Sequence, residues 1–201
     1  LVANSGNGAV TQTGALSVGG TSGFTAGTGS VALTNDANTF AGTATLAAGG
    51  GQFKSASDLA LVLSTTGATT VQTAGQLSVR GTVTGNGSDL TLDAVKTSMG
   101  SLTVDGDLSS TTRGVGAAGG VTQTGAVQVQ GQARFVADTG AGQDAVLDNA
   151  GNDWRGTVSF TQAAGGSWNN VALQDVNALS LGTVTAAGNL TVNSSGALNL
   201  G

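Results

Sequence analysis

Apolar and small polar residues alternate in short phrases along the chain. Each phrase has the form apolar-x-apolar. A period of two is typical of a β-strand with one buried face. Gly, Asn, Asp and Ser separate the phrases and predict turns, and no stretch keeps a helical periodicity. The pattern predicts an all-β protein of short strands, with paired inward positions at Leu16/Val18, Val31/Leu33, Leu59/Leu61, Leu77/Val79, Leu90/Leu92, Leu102/Val104, Val127/Val129, Val158/Phe160, Val171/Leu173, Leu179/Leu181, Leu190/Val192 and Leu198/Leu200.

The chain also repeats itself at long range. Residues 10–16, Val-Thr-Gln-Thr-Gly-Ala-Leu, return 111 positions later as residues 121–127, with six of seven residues identical. Phenylalanine, asparagine and glycine positions downstream keep step with this pair. The long repeat therefore covers residues 8–79 and 119–192, with a spacer at 80–118. A repeat of this kind predicts stacking of similar structural units.

Repeated short strands and Gly-rich turns predict a parallel β-solenoid, a coil in which each turn, or rung, pairs its strands with the next. The absence of proline agrees, since interior strands use both edges for hydrogen bonds. A rung of ~20–22 residues would give about nine or ten rungs, a rod on the order of 45 Å long at ~4.8 Å per rung. We expect one solenoid over residues 1–201, in which the 111-residue offset between the two copies corresponds to a super-repeat of about five rungs. Its ends, without Met and inside a repeat-like phrase, suggest a segment of a longer protein.

Composition narrows the possible functions. With 39% hydrophobic residues and only 8% charged residues, the chain is unlike a disordered linker. Its six Lys and Arg are scattered over a chain of net charge −5, which argues against nucleic-acid binding. The absence of cysteine excludes disulfides and thiolate metal sites. No apolar run approaches the ~20 residues of a membrane span.

Several phrases together resemble the repeat region of filamentous-haemagglutinin-like adhesins, the large bacterial exoproteins of two-partner secretion, with related repeats in autotransporter-like surface proteins. The phrases are residues 10–16, 35–43, 152–158, 175–182 and 188–192. The resemblance covers nearly the whole chain and is weakest around the spacer. It implies a right-handed parallel β-helix, export across a bacterial outer membrane, and a role in virulence as a surface stalk or adhesin.

Aromatic side chains are the first candidates for ligand contact, because exposed aromatic rings can bind sugars. Six of the seven aromatic residues form three pairs aligned across the repeat, which predicts stacking in the core. Trp154 and Trp168 are the expected exceptions, since a large indole is often only partly buried. We therefore treat these two tryptophans as exposed contact candidates.

Carboxylates are the next candidates. Asp105 and Asp107 have the spacing of a same-face pair, and residues 85–89, Gly-Asn-Gly-Ser-Asp, resemble one copy of a calcium-binding nonapeptide. Calcium needs several oxygens from adjoining turns, so solvated turn residues are the favoured interpretation. With no His and no Glu, the commonest general bases are absent. We expect no catalytic site, no metal and no cofactor.

Asparagine is the other recurrent turn residue. Asn35 and Asn38 align with Asn149 and Asn152 at matched turns. Asparagine tolerates left-handed backbone and can bond along stacked turns, so we expect a structural role. Acceptor sequences for N-glycosylation occur at Asn86, Asn189 and Asn193.

Three functions remain open from the sequence. The first is a non-enzymatic stalk segment of a secreted or cell-surface bacterial adhesin. The second is a module whose solenoid flank binds host-cell glycan or extracellular matrix directly. The third, less favoured, is a β-helix enzyme that cleaves polysaccharides.

Overall fold

The computed structural model describes residues 1–163 and 165–201. In these residues the structure is almost entirely β, with one 3-10 helix at Gly116–Ala118. The strands are β1 (Val2–Asn4), β2 (Val10–Thr11), β3 (Ser17–Val18), β4 (Ser22–Thr25), β5 (Val31–Leu33), β6 (Thr39–Phe40), β7 (Ala44–Ala48), β8 (Gly51–Ser55), β9 (Leu59–Thr65), β10 (Thr69–Thr73), β11 (Gln76–Val83), β12 (Leu90–Ala94), β13 (Lys96–Val104), β14 (Leu108–Thr112), β15 (Gly120–Gln123), β16 (Val127–Val129), β17 (Ala133–Asp138), β18 (Gln143–Leu147), β19 (Asp153–Trp154), β20 (Thr157–Ala163), β21 (Trp168–Asp175), β22 (Leu179–Val184), β23 (Leu190–Ser194) and β24 (Leu198–Asn199).

Two long sheets run the length of the molecule. Sheet A has the order β1-β4-β7-β9-β11-β13-β15-β18-β21-β23, and sheet B the order β2-β5-β8-β10-β12-β14-β17-β20-β22-β24. A third side exists at two levels, where β3 pairs with β6 and where β16 pairs with β13 and β19. The chain alternates between the sheets and the paired strands are parallel, which gives about nine turns. The predicted parallel β-solenoid is confirmed.

The core is a column of apolar side chains between the sheets. Each strand sends alternate residues inward, and parallel in-register pairing places like residues above one another. Leu61, Val79 and Met99, for example, are partners in successive rungs and are all buried. Burial of a side chain of this size contributes about 1.5–3 kcal/mol. The predicted inward pairs between Val31 and Leu181 are all buried.

The inward positions of the last rung behave differently. Leu190, Leu198 and Leu200 are 47%, 43% and 67% exposed. Their alternation is the same as in the interior, but Leu190 and Leu198 lie in β23 and β24, the last strands of the two sheets in the described residues. Burial at these positions therefore depends on a neighbouring rung rather than on the local pattern.

The rungs differ in length. Ala44 pairs with Leu61, 17 positions on, whereas Ala145 pairs with Val171, 26 positions on. A uniform rung of 20–22 residues is therefore wrong. The additional residues lie in turns such as 113–119, which holds the 3-10 helix.

The strand pairing of sheet A is interrupted in its middle, and the number of residues between the paired positions increases from rung to rung. One residue, Arg80, separates the paired positions Val79 and Gly81 in β11. Two residues separate the corresponding positions in β13, and three separate them in the next rung, where β15 and β16 become distinct strands. The third side therefore opens by stepwise insertion at one corner.

The two copies of the long repeat lie on opposite sheets. Val10 pairs in sheet B, whereas its counterpart Val121 pairs in sheet A. Phe24 lies in β4 of sheet A and its counterpart Phe135 in β17 of sheet B. The offset thus spans about five and a half turns rather than five. In each copy the third side begins at or directly after the last residue of the repeated phrase, at β3 and at β16. Because the two phrases lie on opposite sheets, the third side lies half a turn further around the coil in the second copy.

Candidate functional site

Trp154 and Trp168 are buried, with 1% and 0% of their surface exposed. Their interpretation as exposed contact candidates is wrong. Trp154 packs edge-on against Phe135 at a centroid distance of 6.0 Å, and Trp168 packs edge-on against Phe160 at 5.9 Å. The polar atom of each indole is satisfied inside the protein, because Trp154 Nε1 donates to Gln174 O at 3.0 Å and Trp168 Nε1 to Thr161 O at 2.8 Å.

The remaining aromatic residues also belong to the core. Phe24, Phe40 and Phe53 form one cluster with centroid distances of 4.8–6.0 Å. Phe135 and Phe160 stack at 5.0 Å in the second cluster. The predicted core role of these five rings is confirmed, and each repeat copy has its own aromatic cluster.

A buried asparagine and a glutamine of the preceding rung form a reciprocal pair, which we call the Gln–Asn latch. In the second copy, Gln123 Nε2 donates to Asn152 Oδ1 at 2.8 Å and Asn152 Nδ2 donates to Gln123 Oε1 at 2.9 Å. The Asn152 amide also accepts from Val127 N–H and donates to Leu147 O, both at 2.9 Å. The latch thus replaces backbone pairing at the wide corner before the third side.

The first copy repeats the latch with the corresponding residues. Gln12 and Asn38 exchange hydrogen bonds at 2.8 and 2.9 Å, and Asn38 Oδ1 accepts from Leu16 N–H at 2.9 Å. Asn35 and Asn149 each accept from a backbone N–H two residues later. The near-identical phrases 10–16 and 121–127 therefore supply the glutamine half of one structural device.

The expected structural role of the four asparagines is confirmed, but the left-handed backbone is not part of it. Among the described residues other than glycine, only Thr139 has a positive φ, 58°. The amide side chains therefore explain the matched asparagines. Asparagine carries both a donor and an acceptor on one short side chain, which the reciprocal latch requires.

Asp105 and Asp107 do not act together. Asp107 Oδ1 accepts from Gln132 N–H of the following rung at 2.7 Å, whereas Asp105 Oδ2 accepts from Gly85 N–H of the preceding rung at 2.9 Å. Asp89 Oδ1 accepts in the same way from Asp107 N–H at 2.8 Å. These carboxylates bond successive turns to one another, as expected for turn aspartates.

The phrase 85–89 forms a turn between β11 and β12, closed by Ser88 N–H donating to Gly85 O at 3.1 Å. In the described part of the chain, no group of three or more Asp side chains is placed to hold a metal ion. The acceptor positions Asn86, Asn189 and Asn193 are all exposed. No helix of residues 1–163 and 165–201 is long and apolar enough to cross a membrane.

Two carboxylates at the corner after the second latch titrate abnormally. Burial raises the pKa of Asp175 above its ordinary value of 3.8, and the nearby Asp153 charge adds to the shift. Asp175 Oδ1 accepts from Trp154 N–H at 3.2 Å, while its Oδ2 lacks a partner. Burial acts on Asp153 in the same direction, but hydrogen bonds from Arg155 and Asn177 outweigh it and hold that pKa below 3.8.

We expect Asp175→Asn to stabilise the protein increasingly as the pH rises. A raised folded-state pKa means that the native state binds the proton more tightly, so ionising Asp175 costs stability. This cost is absent below about pH 3.8 and complete above the raised pKa. The free energy of unfolding of both proteins, measured from pH 3 to 8, should diverge in favour of the variant. A constant difference across this range would contradict the assignment.

One surface feature combines several polar side chains that the sequence analysis did not group. Two adjoining open depressions, of about 450 and 120 Å³, share Ser78 and Ser98 on the outer face of sheet A. Lys96 lines the larger one and Arg80 the smaller one, and we call the two together the sheet A trough. Its floor is the in-register column Ala60, Ser78, Ser98 and Thr122. Its sides include Asp58, Gln76, Lys96, Arg80 and Thr124.

The trough depends on strand register. On each strand the outward residues are two positions apart. In β11, Gln76 lies on one side of the trough, Ser78 on its floor and Arg80 on the other side. Parallel pairing then aligns each class between rungs. Sequence inspection shows the Ser-x-Arg phrase but not which phrases of distant rungs stand beside it.

Most of the chain matches one protein-family model. A family model for repeats of unknown function (DUF5649) matches residues 1–47, 87–161 and 168–199, about three quarters of the chain. No curated protein and no solved structure matches. Both Gln–Asn latches lie inside the matched segments. The chain therefore belongs to this family of repeats of unknown function.

Proposed function

We propose that this chain is a non-enzymatic structural segment of a secreted or surface-exposed bacterial adhesin, of the filamentous-haemagglutinin-like kind exported by two-partner secretion. The segment acts as a rod that holds a binding region away from the cell. The observation that carries the proposal is the continuous parallel stacking of about nine turns over one apolar core. In such a stack each rung is hydrogen-bonded to the next, so the molecule extends along one axis.

The use of the polar side chains supports a structural role. The latch amides bond one rung to the next, and Asp107 caps a backbone N–H of a neighbouring rung. Asp58 does the same for Gln76 N–H at 2.8 Å. Asp105 and Asp107, the carboxylate pair considered for a polysaccharide-cleaving enzyme, thus each accept a backbone hydrogen bond from another rung, which weighs against the third function.

Removal of residues 1–201 from the full-length adhesin tests the rod. We expect the surface projection to shorten by roughly 45 Å, since about nine steps of ~4.8 Å are lost. Electron cryotomography of the bacterial surface measures the projection, and a binding assay with purified adhesin measures the tip. Shortening with retained binding supports the rod. Unchanged length, or absence of the protein from the cell surface, contradicts it.

A second function is favoured by the sheet A trough. In this alternative the solenoid flank itself contacts host-cell glycan or extracellular matrix. The trough exposes hydroxyl and cationic side chains on a face that is covered by no other element in the described chain. Binding by the purified segment distinguishes this function from a passive rod.

A further inference from the structure

The trough runs along the solenoid axis. Its floor residues pair rung to rung, and paired strands lie ~4.8 Å apart. The backbone groups beneath are already used in the parallel ladder, so a ligand on this face meets side chains only. The floor presents the three hydroxyl groups of Ser78, Ser98 and Thr122 and the methyl groups of Ala60 and Thr122, which suits a polar ligand better than an apolar one. A sugar in a linear polysaccharide advances by about one rung, so such a chain can follow the trough in register.

The charges at the trough are unusual for this protein. Three of the six basic side chains are paired with aspartates, in Lys54–Asp36, Arg113–Asp93 and Arg155–Asp153. The other three, Arg80, Lys96 and Arg134, have no ion pair in the described chain. Arg80 and Lys96 both lie at the trough. A chain of net charge −5 thus places two cations without an ion-pair partner, against the single carboxylate of Asp58, beside one hydroxyl column.

Both cations are positioned by neighbouring rungs. Lys96 Nζ donates to Ala117 O at 3.3 Å, which ties the ammonium group to the turn that precedes β15. Arg80 lies against Gly100 of the next rung, where an added Cβ would be 2.9 Å from Arg80 Cβ and 3.7 Å from Arg80 Cδ. Gly100 therefore leaves the space along which the arginine extends.

We propose that the sheet A trough binds a linear acidic polysaccharide, with its carboxylates on Arg80 and Lys96 and its hydroxyls on Ser78, Ser98 and Thr122. Charge complementarity carries the assignment. A guanidinium group binds a carboxylate in bidentate fashion, and an ammonium group supplies a second positive charge. The inference deepens the flank-binding alternative and does not depend on the rod.

One acidic side chain opposes the ligand. Asp58 lines the trough, and its Oδ1 accepts from Gln76 N–H at 2.8 Å. Asparagine at this position retains the acceptor oxygen and removes the negative charge. The proposal therefore predicts tighter binding for Asp58→Asn.

The test is calorimetric titration of the purified chain with oligogalacturonate at low salt. The double variant Arg80→Gln/Lys96→Gln should weaken binding by about tenfold, the effect expected for two exposed ion pairs. Gly100→Ala should weaken it less, by displacing Arg80. The control is Arg134→Gln, which removes one positive charge from an exposed residue of sheet B and is compared with the double variant per charge removed. It should leave affinity unchanged, and circular dichroism verifies that each variant is folded.

Several results would overturn the proposal. One is no binding of oligogalacturonate by the wild-type chain. Another is equal weakening per charge by Arg134→Gln, which would mean diffuse attraction to the whole surface. A third is binding of oligogalacturonate that does not respond to the trough variants. A shortened surface projection with no glycan binding would support the rod and refute the trough, so the two proposals fail separately.

Discussion

Trp154→Ala should lower the free energy of unfolding by about 3–5 kcal/mol, the usual cost of truncating a buried aromatic side chain. Trp154 fills the third side next to Phe135 with only 1% of its surface exposed. Truncation removes this packing and leaves Gln174 O without the indole donor. Urea denaturation followed by far-UV circular dichroism measures the loss.

The chain itself supplies the control for this substitution. Phe40 occupies the corresponding position in the first copy and is also buried. Trp154→Phe should therefore keep most of the packing and cost about 1 kcal/mol for the lost hydrogen bond, with a further contribution from reduced volume. If Trp154→Ala cost less than Trp154→Phe, or if neither changed stability, the buried aromatic cluster would be contradicted.

The core was predictable because burial in a solenoid follows alternation. Residues such as Leu77, Val79, Leu90 and Leu92 alternate with polar neighbours, and all four are buried. A strand in a parallel stack has the same inside and outside as a strand in any one-sided sheet, so the period of two identifies it. The same reasoning does not give the burial of Leu198, which is exposed in the last strand of sheet B in the described residues.

The half-turn rotation was not predictable from alternation. Equivalent phrases were expected in equivalent rungs, but corner length determines where each phrase falls on the coil. The register shift between Val79 and Gly81 in β11 changes the length of the corner by single residues. The alternation of apolar and polar residues does not reveal a change of this kind. The exposure predicted for Trp154 is wrong because it rested on the size of the indole alone, whereas the side chain lies on the inner side of a corner.

The candidate site was predictable in its parts only. Arg80, Lys96 and Ser98 are visible in the sequence as ordinary polar residues of the spacer. Their neighbourhood depends on register between rungs of different length, from 17 to 26 residues. The latch offered a better signal, because Gln12 and Gln123 recur together with Asn38 and Asn152.

Asn152→Ala should destabilise the protein by about 3 kcal/mol, more than any other single polar substitution considered. Asn152 is fully buried and makes four hydrogen bonds of 2.8–2.9 Å. Its removal leaves partners on Gln123, Val127 and Leu147 unsatisfied inside the corner. Each buried unsatisfied group costs about 1–3 kcal/mol, partly relieved by relaxation of the glutamine.

Asn149→Ala is the matched control, because the same side-chain change three residues away removes one local hydrogen bond, to Gly151 N–H at 2.9 Å. It should cost no more than about 1 kcal/mol. Gln123→Ala combined with Asn152→Ala should cost clearly less than the sum of the two single variants, because both remove the same latch. Urea denaturation of the wild type and these four variants measures the differences. Additive losses for Gln123→Ala and Asn152→Ala would show that these two amides do not act as one unit. Equal losses for Asn149→Ala and Asn152→Ala would contradict the special role of the buried Asn152.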